Sequence, residues 1–511
     1  MRRCVHGADY DRGAAGNVID ARNVHGRYVN AGDVDANISQ PRRTRTQRVC
    51  AMRAALVLVL VVLAGCASTS AEAPFRDTAH AVEERTNHRI RWNRAGDDDQ
   101  AVARSIHALL SRELSVDGAV EVALLNNKNL QATYEDLSVA QADLVQAGLL
   151  KNPVFGGGLE FPITGDVATG GSLSVSEDFL SLFTIAARKR IAGSALEAAK
   201  LRVGDAVIHM AYEVETAYFA LQSTQQVAAM RRTILEAGDA AVDLARRQHD
   251  AGNINDLDLV NEEMLYEQLR TDLLRSDADA VSAHENLARL LGAWGADANF
   301  RVQPKLPELP PSEVSREHVE SLAIARRLDL QAAHAEAQTI AHALALTKNF
   351  RWLPDASIGG AYARAPERYS TIGPSASVEL PLFDQKQAAV ARMEAQLRAA
   401  LAREDALAVD IRSEVRDAQS RLLATRAVVD RYAKVVVPLR QRVVTLSQEQ
   451  YDAMLLGAYQ LLQAKQNQVT GYRELIEALR DYWVARAELE RATGGSLTLS
   501  KTSESMQRGK P

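Results

Sequence analysis

The sequence repeats itself once, with an offset of about 200 residues. The motif Asn-Leu-Gln-Ala at 129–132 returns as Asp-Leu-Gln-Ala at 329–332, and Leu-Ser-Leu-Phe at 180–183 returns as Leu-Pro-Leu-Phe at 380–383. Three further pairs keep the same order: Asn152-Pro153 with Leu353-Pro354, Glu213-Val214 with Glu414-Val415, and 248–251 with 450–453. Solenoid repeats have periods of only about 20–50 residues, so this chain carries two copies of one large structural unit.

The composition is that of a folded, helix-rich protein. Of the 511 residues 47% are hydrophobic and 24% are charged, and the net charge of -5 argues against disorder and against a nucleic-acid partner. Only 5% are aromatic, which favours long, closely packed helices over a bulky core. The three cysteines are Cys4, Cys50 and Cys66, so a disulfide framework or a cysteine metal site is excluded after Cys66.

An apolar run at 56–63 follows Arg53 and ends in Leu63-Ala64-Gly65-Cys66. It is short for a bilayer span and has the basic and apolar regions of a secretory signal. The ending resembles the bacterial lipobox, in which the cysteine is acylated, so Cys66 is the expected lipid anchor. The alternative is a plain cleaved signal with an incidental cysteine. We expect a signal peptide at 52–65 and an extension at 1–51 that precedes the true start of translation.

Each repeat has the same predicted order: helix, two strands, long helix, tight turn and return helix. Apolar spacing predicts helices, and alternation around glycine-rich turns predicts strands. The first copy is expected to have helices at 116–150, 182–251 and 256–291, strands at 154–161 and 173–179, and a turn at Gly252-Asn253. The second is expected to have a helix to Phe350, strands at 356–362 and 375–380, a helix from Lys386, a turn near Gly457 and a return helix to about 490.

The chain therefore divides into a polar tether (66–114), repeat 1 (115–294), a proline-rich linker (295–314), repeat 2 (315–490) and a flexible tail (491–511). Gly238 and Pro438 stand at nearly equivalent positions, so both long helices are expected to bend at the same level.

The predicted strands are long enough to cross a bilayer when tilted. Aromatic residues gather around them, as in the interfacial girdles of a membrane barrel: Phe155, Phe161, Phe179, Phe183, Phe350, Trp352, Tyr362, Tyr369 and Phe383. The alternative is a pair of soluble hairpins that cap helical bundles. Four strands cannot close a barrel, and open edges are not tolerated in lipid, so a membrane reading requires several protomers.

With these features the chain resembles the TolC-type outer-membrane efflux proteins over about 115–490. The segments that carry the resemblance are Gln-Ala-Gly-Leu-Leu-Lys-Asn-Pro at 146–153, Val437-Pro438-Leu439-Arg440, and Ala-Gly-Asn-Ile at 251–254. The resemblance implies a mainly α fold with a membrane β-barrel, in which a homotrimer pools four strands per protomer into twelve. It also implies a long α-helical periplasmic tunnel and a lipid-anchored place in the outer membrane of a Gram-negative bacterium.

We expect a passive conduit rather than an enzyme, with no cofactor and no metal site. The sequence has no nucleophile elbow, phosphate loop or zinc-protease motif, and His334 and His342 lie eight residues apart, too far to share one metal. The resemblance implies a periplasmic adaptor and an inner-membrane pump as partners. A pump of the resistance-nodulation-division type for heavy-metal ions or drugs comes first, and type I protein secretion is an alternative. A periplasmic adaptor or a coiled-coil scaffold fits the duplicated hairpins and few strands less well.

The resemblance also implies a tunnel that closes at its tip, where acidic side chains can form a ring across the trimer axis, so Asp256 and Asp258 are candidate gate residues. The second tip, 455–460, has no acid. Both aspartates could instead cap the return helix, and this is the favoured role of Asp256, whereas Asp258 is the better gate candidate. The residues expected to contact the adaptor are His249, Asp250, Gly252, Asn253, Tyr451, Asp452, Gly457 and Tyr459.

Overall fold

The computed structural model describes residues 69–94, 96–161, 163, 169–313, 318–353, 355–365 and 369–496. The predicted extension, the signal peptide, Cys66 and the last part of the tail lie outside the described residues. Within the described part of the chain, no helix is both long and apolar enough to cross a membrane.

The mainly helical, duplicated plan with four strands is confirmed. Repeat 1 consists of α3 (Val116–Asn126), α4 (Lys128–Gly148), β2 (Val154–Glu160), β3 (Gly170–Asp178), α5 (Leu180–Asp250) and α6 (Asp256–Leu291). Repeat 2 consists of α7 (Val319–Arg326), α8 (Leu328–Phe350), β5 (Ala356–Arg364), β6 (Ser370–Val378), α9 (Gln387–Arg431), a π-helical turn (Tyr432–Val436), α10 (Val437–Asp452) and α11 (Ala458–Ala492). At 1.5 Å per residue, the 71 residues of α5 extend over about 105 Å.

The helix predicted at 116–150 is two helices, because Asn127 interrupts it. Its backbone is extended, and its Oδ1 accepts hydrogen bonds from the N–H groups of Asn129 (2.9 Å) and Leu130 (3.1 Å). Its Nδ2 donates to the carbonyl of Leu290 at the end of α6 (2.8 Å). These hydrogen bonds cap a new helix and hold the end of a distant one, so the helix breaks at Asn127 although the apolar spacing is continuous. The second copy breaks at the equivalent Arg327.

The segment predicted as a polar tether folds into α1 (Glu72–Thr86) and α2 (Asp97–Leu110), followed by β1 (Glu113–Leu114). The ring of Phe75 on α1 lies 5.2 Å from that of Tyr134 and 5.4 Å from that of Trp92. Tyr134 is fully buried, so this segment completes the core of repeat 1.

The proline-rich linker also packs against the repeats. Its strand β4 (Arg301–Val302) pairs in parallel with β1, and Phe300, Val302 and Leu306 are buried. The fully buried Gln222 of α5 donates from Nε2 to the carbonyls of Gln303 (2.9 Å) and Lys305 (2.6 Å). The linker, which begins with a 3₁₀-helical turn at Gly295–Asn299, is therefore packed against the repeats.

The four long strands form one antiparallel sheet in the order β2-β3-β5-β6. The prediction placed the last strand at 375–380, whereas β6 begins five residues earlier, at Ser370. Pro374 lies within β6, opposite Gly360, and β6 is an edge strand, where a missing N–H is tolerated. Gly359 is required by close approach, because a Cβ there would lie 2.1 Å from the carbonyl oxygen of Val175.

The second long helix is interrupted and the first is not. The π-helical turn at Tyr432–Val436 ends two residues before Pro438, whereas α5 continues through Gly238. Gly238 has a packing role, since a Cβ there would lie 2.8 Å from Cδ1 of Leu269 on α6. The two long helices thus differ near these positions, since the interruption lies only by the proline, and the expectation of matched bends stays a prediction.

Candidate functional site

The two helical hairpins end in the same backbone turn. At the end of α5, Gly252 has a positive φ of 72°, and its N–H donates to the carbonyl of His249 (2.8 Å). The N–H of Asn253 donates to the carbonyl of Gln248 (2.8 Å). These two bonds satisfy carbonyls that the end of a helix leaves without partners. The predicted turn at Gly252-Asn253 is confirmed.

At the end of α10 the same two bonds recur with different residues. Met454 has a φ of 58°, and its N–H donates to the carbonyl of Tyr451 (2.9 Å). The N–H of Leu455 donates to the carbonyl of Gln450 (2.8 Å). Met454 is 94% exposed and Leu455 is 79% exposed, so this tip presents apolar side chains. The sequence prediction included both residues in the second tip without selecting them as contacts, although their positions opposite Gly252 and Asn253 in the repeat were the available signal.

The first tip is charged and internally bonded. A carboxylate oxygen of Asp256 lies 2.7 Å from Nε2 of His249, and a carboxylate oxygen of Asp250 lies 3.7 Å from Nδ1. The hydrogen bond with Asp256 and the charges of both aspartates raise the pKa of His249 above its usual value. Asp256 does not cap α6: the N-cap is Asn255, whose Oδ1 accepts the N–H of Asp258 (2.9 Å). The favoured capping role of Asp256 is therefore wrong.

Asp258 is exposed, and its carboxylate forms no hydrogen bond or ion pair with the described residues. One helical turn further along α6 lies Glu262, whose pKa is raised by burial and by the charge of Asp258. Lys465 of α11 acts in the opposite direction on the same group. The acidic row at this tip thus includes Glu262, which the sequence prediction missed although its i,i+4 spacing from Asp258 was visible.

The second tip has its own polar contacts. Gly457, the N-cap of α11, donates its N–H to Oε1 of Gln460 (2.8 Å), and Asp452 accepts from Nε2 of Gln448 (2.9 Å). The side chain of Tyr459 lies outside the described residues. The predicted turn near Gly457 is confirmed, and the return helix α11 begins at Ala458.

The two histidines noted in the sequence lie in separate contacts. Nδ1 of His334 is 2.9 Å from a carboxylate oxygen of Glu404, and Nδ1 of His342 is 3.1 Å from Oγ of Ser194. Across the described ranges, no group of three or more His, Cys, Asp or Glu side chains is arranged to hold a metal ion.

The first repeat matches the model of a known protein family. Residues 119–293, which are nearly all of repeat 1, match the family model described as "Outer membrane efflux protein". The full sequence matches no curated protein.

Solved structures of bacterial outer-membrane channels share the fold. The Campylobacter jejuni CmeC outer membrane channel superposes with a TM-score of 0.65 at 16% identity, over 76% of this chain and 88% of that chain. The outer membrane protein VceC of Vibrio cholerae gives 0.61 at 18% identity, over 75% and 96%. The open state of the Neisseria gonorrhoeae MtrE outer membrane channel gives 0.60 at 16% identity, over 75% and 89%. At these identities the likeness establishes the fold.

Proposed function

We propose that three copies of this chain form the outer-membrane duct of a tripartite efflux system, as supported by the match of residues 119–293 to the outer membrane efflux protein family and by the fold shared with solved channels. Solutes would enter at the hairpin tips and leave through the strands, without chemical change. A periplasmic adaptor would contact the tips, and an inner-membrane pump of the resistance-nodulation-division type would supply the energy for export of heavy-metal ions or drugs.

The observation that carries the oligomeric channel is the sheet. Within the described residues it has four strands, and its outer strands β2 and β6 each pair with one neighbour only. Apolar side chains point outward along the strands, as in Phe155 at 76% exposure and Ile372 at 86%. Such a sheet is stable in lipid only when its edges pair with those of other copies.

Thiol cross-linking tests this arrangement, because the chain has no cysteine after Cys66. A Phe155→Cys, Ile372→Cys variant treated with a flexible bis-maleimide in outer membranes should give covalent dimers and trimers. The matched control is Ser174→Cys with Ala361→Cys, which lie opposite each other within one sheet and should link only within a chain. Monomers alone from the edge pair would contradict the pooled barrel.

We propose that Asp258 contributes to a ring of three carboxylates that favours cations at the tip. Three like charges near one axis repel anions, and Asp258 has no partner among the described residues to neutralise it. Asp256 also belongs to the proposed ring, but its carboxylate is shared with His249. In planar bilayers, Asp258→Asn should lower cation selectivity more than Asp256→Asn does. Equal selectivity in the wild type and in Asp258→Asn would remove Asp258 from the gate.

The proposal also includes a lipid anchor and a contact surface for the adaptor. Cys66 is the proposed lipid anchor, and Cys66→Ser should abolish incorporation of labelled palmitate. The residues proposed to contact the adaptor are His249, Asp250, Gly252, Asn253, Tyr451, Asp452, Gly457 and Tyr459.

The class of exported solute can be tested in cells. Deletion of the gene, followed by sensitivity tests against metal salts and drugs, should identify the exported class. Unchanged sensitivity to both would contradict efflux.

A further inference from the structure

A basic cavity lies where the helices meet the sheet. It has a volume of about 390 Å³ and lies among the end of α4, the start of α5, the end of α8 and the start of α9. Four cationic side chains line it, Lys151, Arg188, Arg351 and Lys386, together with one acid, Asp178. Apolar side chains, among them Phe350, complete the wall.

The one acidic side chain in this lining, that of Asp178, already has partners. One carboxylate oxygen of Asp178 lies 2.7 Å from Nζ of Lys151, and the other accepts the N–H groups of Leu180 (3.0 Å) and Ser181 (3.2 Å) at the start of α5. Asp178 and Lys151 thus neutralise each other. The cavity therefore retains the positive charges of Arg188 and Arg351, whereas Lys386 is paired with Asp384.

The two arginines are incompletely bonded. Arg188 donates from Nη2 to the carbonyls of Leu149 and Ser181 (3.3 Å each), but its Nε is buried without a hydrogen-bond partner among the described residues. The guanidinium of Arg351 lies 4.8 Å from the ring centre of Trp352 and forms no ion pair with the described residues. A buried, unpaired guanidinium N–H is costly, so the arrangement favours an anionic acceptor.

The start of α9 adds to the positive potential. Lys386 is its N-cap, with a positive φ of 59°, and no side chain caps the first N–H groups of this 45-residue helix. Nζ of Lys386 lies 3.4 Å from the exposed carboxylate of Asp384, which does not line the cavity. Uncapped N–H groups at a helix start bind phosphate oxygens well, and here they lie near Arg188 and Arg351 in the wall of the same cavity.

The surroundings distinguish a lipid phosphate from a free one. Large apolar side chains stand exposed beside the cavity on both copies of the junction: Leu182 (58%), Phe183 (64%), Trp352 (56%), Leu380 (71%), Leu382 (72%) and Phe383 (94%). A free phosphate would gain nothing from them. A lipid would place its phosphate in the cavity and its acyl chains along this apolar surface.

We propose that this cavity binds the phosphate group of an anionic membrane lipid at the junction of sheet and helices. The proposal rests on the proposed position of the sheet in the outer membrane. It assigns Arg188 and Arg351 as the phosphate-binding side chains and Lys386, with the start of α9, as the supporting charge. A bound lipid would hold repeat 1 and repeat 2 together at this level, because Arg188 belongs to one copy and Arg351 to the other.

Native mass spectrometry of the purified, detergent-solubilised trimer tests the proposal with phosphatidylglycerol as the probe. Wild type should retain added phosphatidylglycerol, and Arg188→Gln with Arg351→Gln should bind it at least about tenfold more weakly, because charge-assisted hydrogen bonds to phosphate are lost. The control is Arg190→Gln, an exposed arginine two residues along the same helix that does not line the cavity. Arg188→Lys, which keeps the charge but not the fork, should lie between the two.

The other outcomes are also decisive. Equal binding by wild type and by the double variant would overturn the proposal, and the same spectra show whether the variant is still a trimer. Displacement of the lipid by millimolar inorganic phosphate would assign the cavity to free phosphate instead. If wild type forms conducting channels but binds no phosphatidylglycerol, this inference fails alone. If wild type neither forms trimers nor conducts, the proposed function fails with it.

Discussion

Gly252 and Met454 occupy equivalent positions in the two repeats, and both have a left-handed backbone, with φ of 72° and 58°. Glycine adopts this conformation freely, whereas another L-residue loses about 1 kcal/mol. Met454 is almost fully exposed within the protomer, so burial there does not offset the strain. The strained, apolar tip of repeat 2 therefore suits a contact made in the assembly.

Replacement of Met454 by glycine should stabilise its turn locally by about 1 kcal/mol, because the left-handed strain disappears. Hydrogen exchange of the amides at 452–456 should slow about fivefold. Gly252→Ala should have the opposite effect at the other tip, since it introduces the strain. Faster exchange in Met454→Gly would show that the methionine side chain stabilises the turn. The same variant should also bind the adaptor more weakly if the apolar tip forms that contact.

The contact between His249 and Asp256 should respond to pH. Because the folded-state pKa of His249 is raised, its stabilising effect is fully present below the unfolded pKa and is lost as pH rises through the folded value. In Asp256→Asn the pKa of His249 should fall, as the main cause of the shift is removed. Histidine hydrogen exchange by mass spectrometry measures this pKa directly. His334 gives an internal reference, and an unchanged pKa of His249 would exclude the ion pair.

Asn127 should be among the most sensitive polar residues of repeat 1. It is 4% exposed, and it caps α4 and donates to the carbonyl of Leu290. Asn127→Ala removes both roles and should lower the free energy of unfolding by about 2–3 kcal/mol. Asn127→Asp keeps the cap but loses the amide donor, so the stability lost in this variant should come from the contact with Leu290. Thermal unfolding in detergent measures both, and a neutral Asn127→Ala would contradict this account.

Glu215 of α5 should make stability depend on pH. Burial, with the negative charges of Glu490 and Asp117, raises its pKa to about 8, against the opposing effect of Arg486. The folded protein therefore holds a proton that the unfolded chain releases, so stability falls as pH rises from about 4.5 to about 8. At pH 7 the cost is about 3 kcal/mol. Glu215→Gln should flatten the melting temperature between pH 5 and 9, whereas Glu213→Gln, an exposed neighbour, should leave the slope unchanged.

The sequence predicted the elements that local signals define. The turn at Gly252-Asn253, the return helix Asp256–Leu291 and the first strand follow from glycine, asparagine and apolar periodicity within a few residues. The duplication then allowed each copy to be checked against the other. The acidic tip was also recognisable as a candidate site, although Asn255, rather than Asp256, caps the helix. The roles of the tip residues stay predictions.

Other features depend on residues far apart in the sequence. Asn127 breaks a helix because the carbonyl of Leu290 lies within reach, and Gln222 docks a linker that composition alone presents as a spacer. The basic cavity exists only because the two copies bring Arg188 and Arg351 together at one junction. Local free energies of turns and helices thus determined the repeating plan from sequence alone. The tertiary structure decided where long-range hydrogen bonds and unpaired charges accumulate, because these depend on distances that the sequence does not contain.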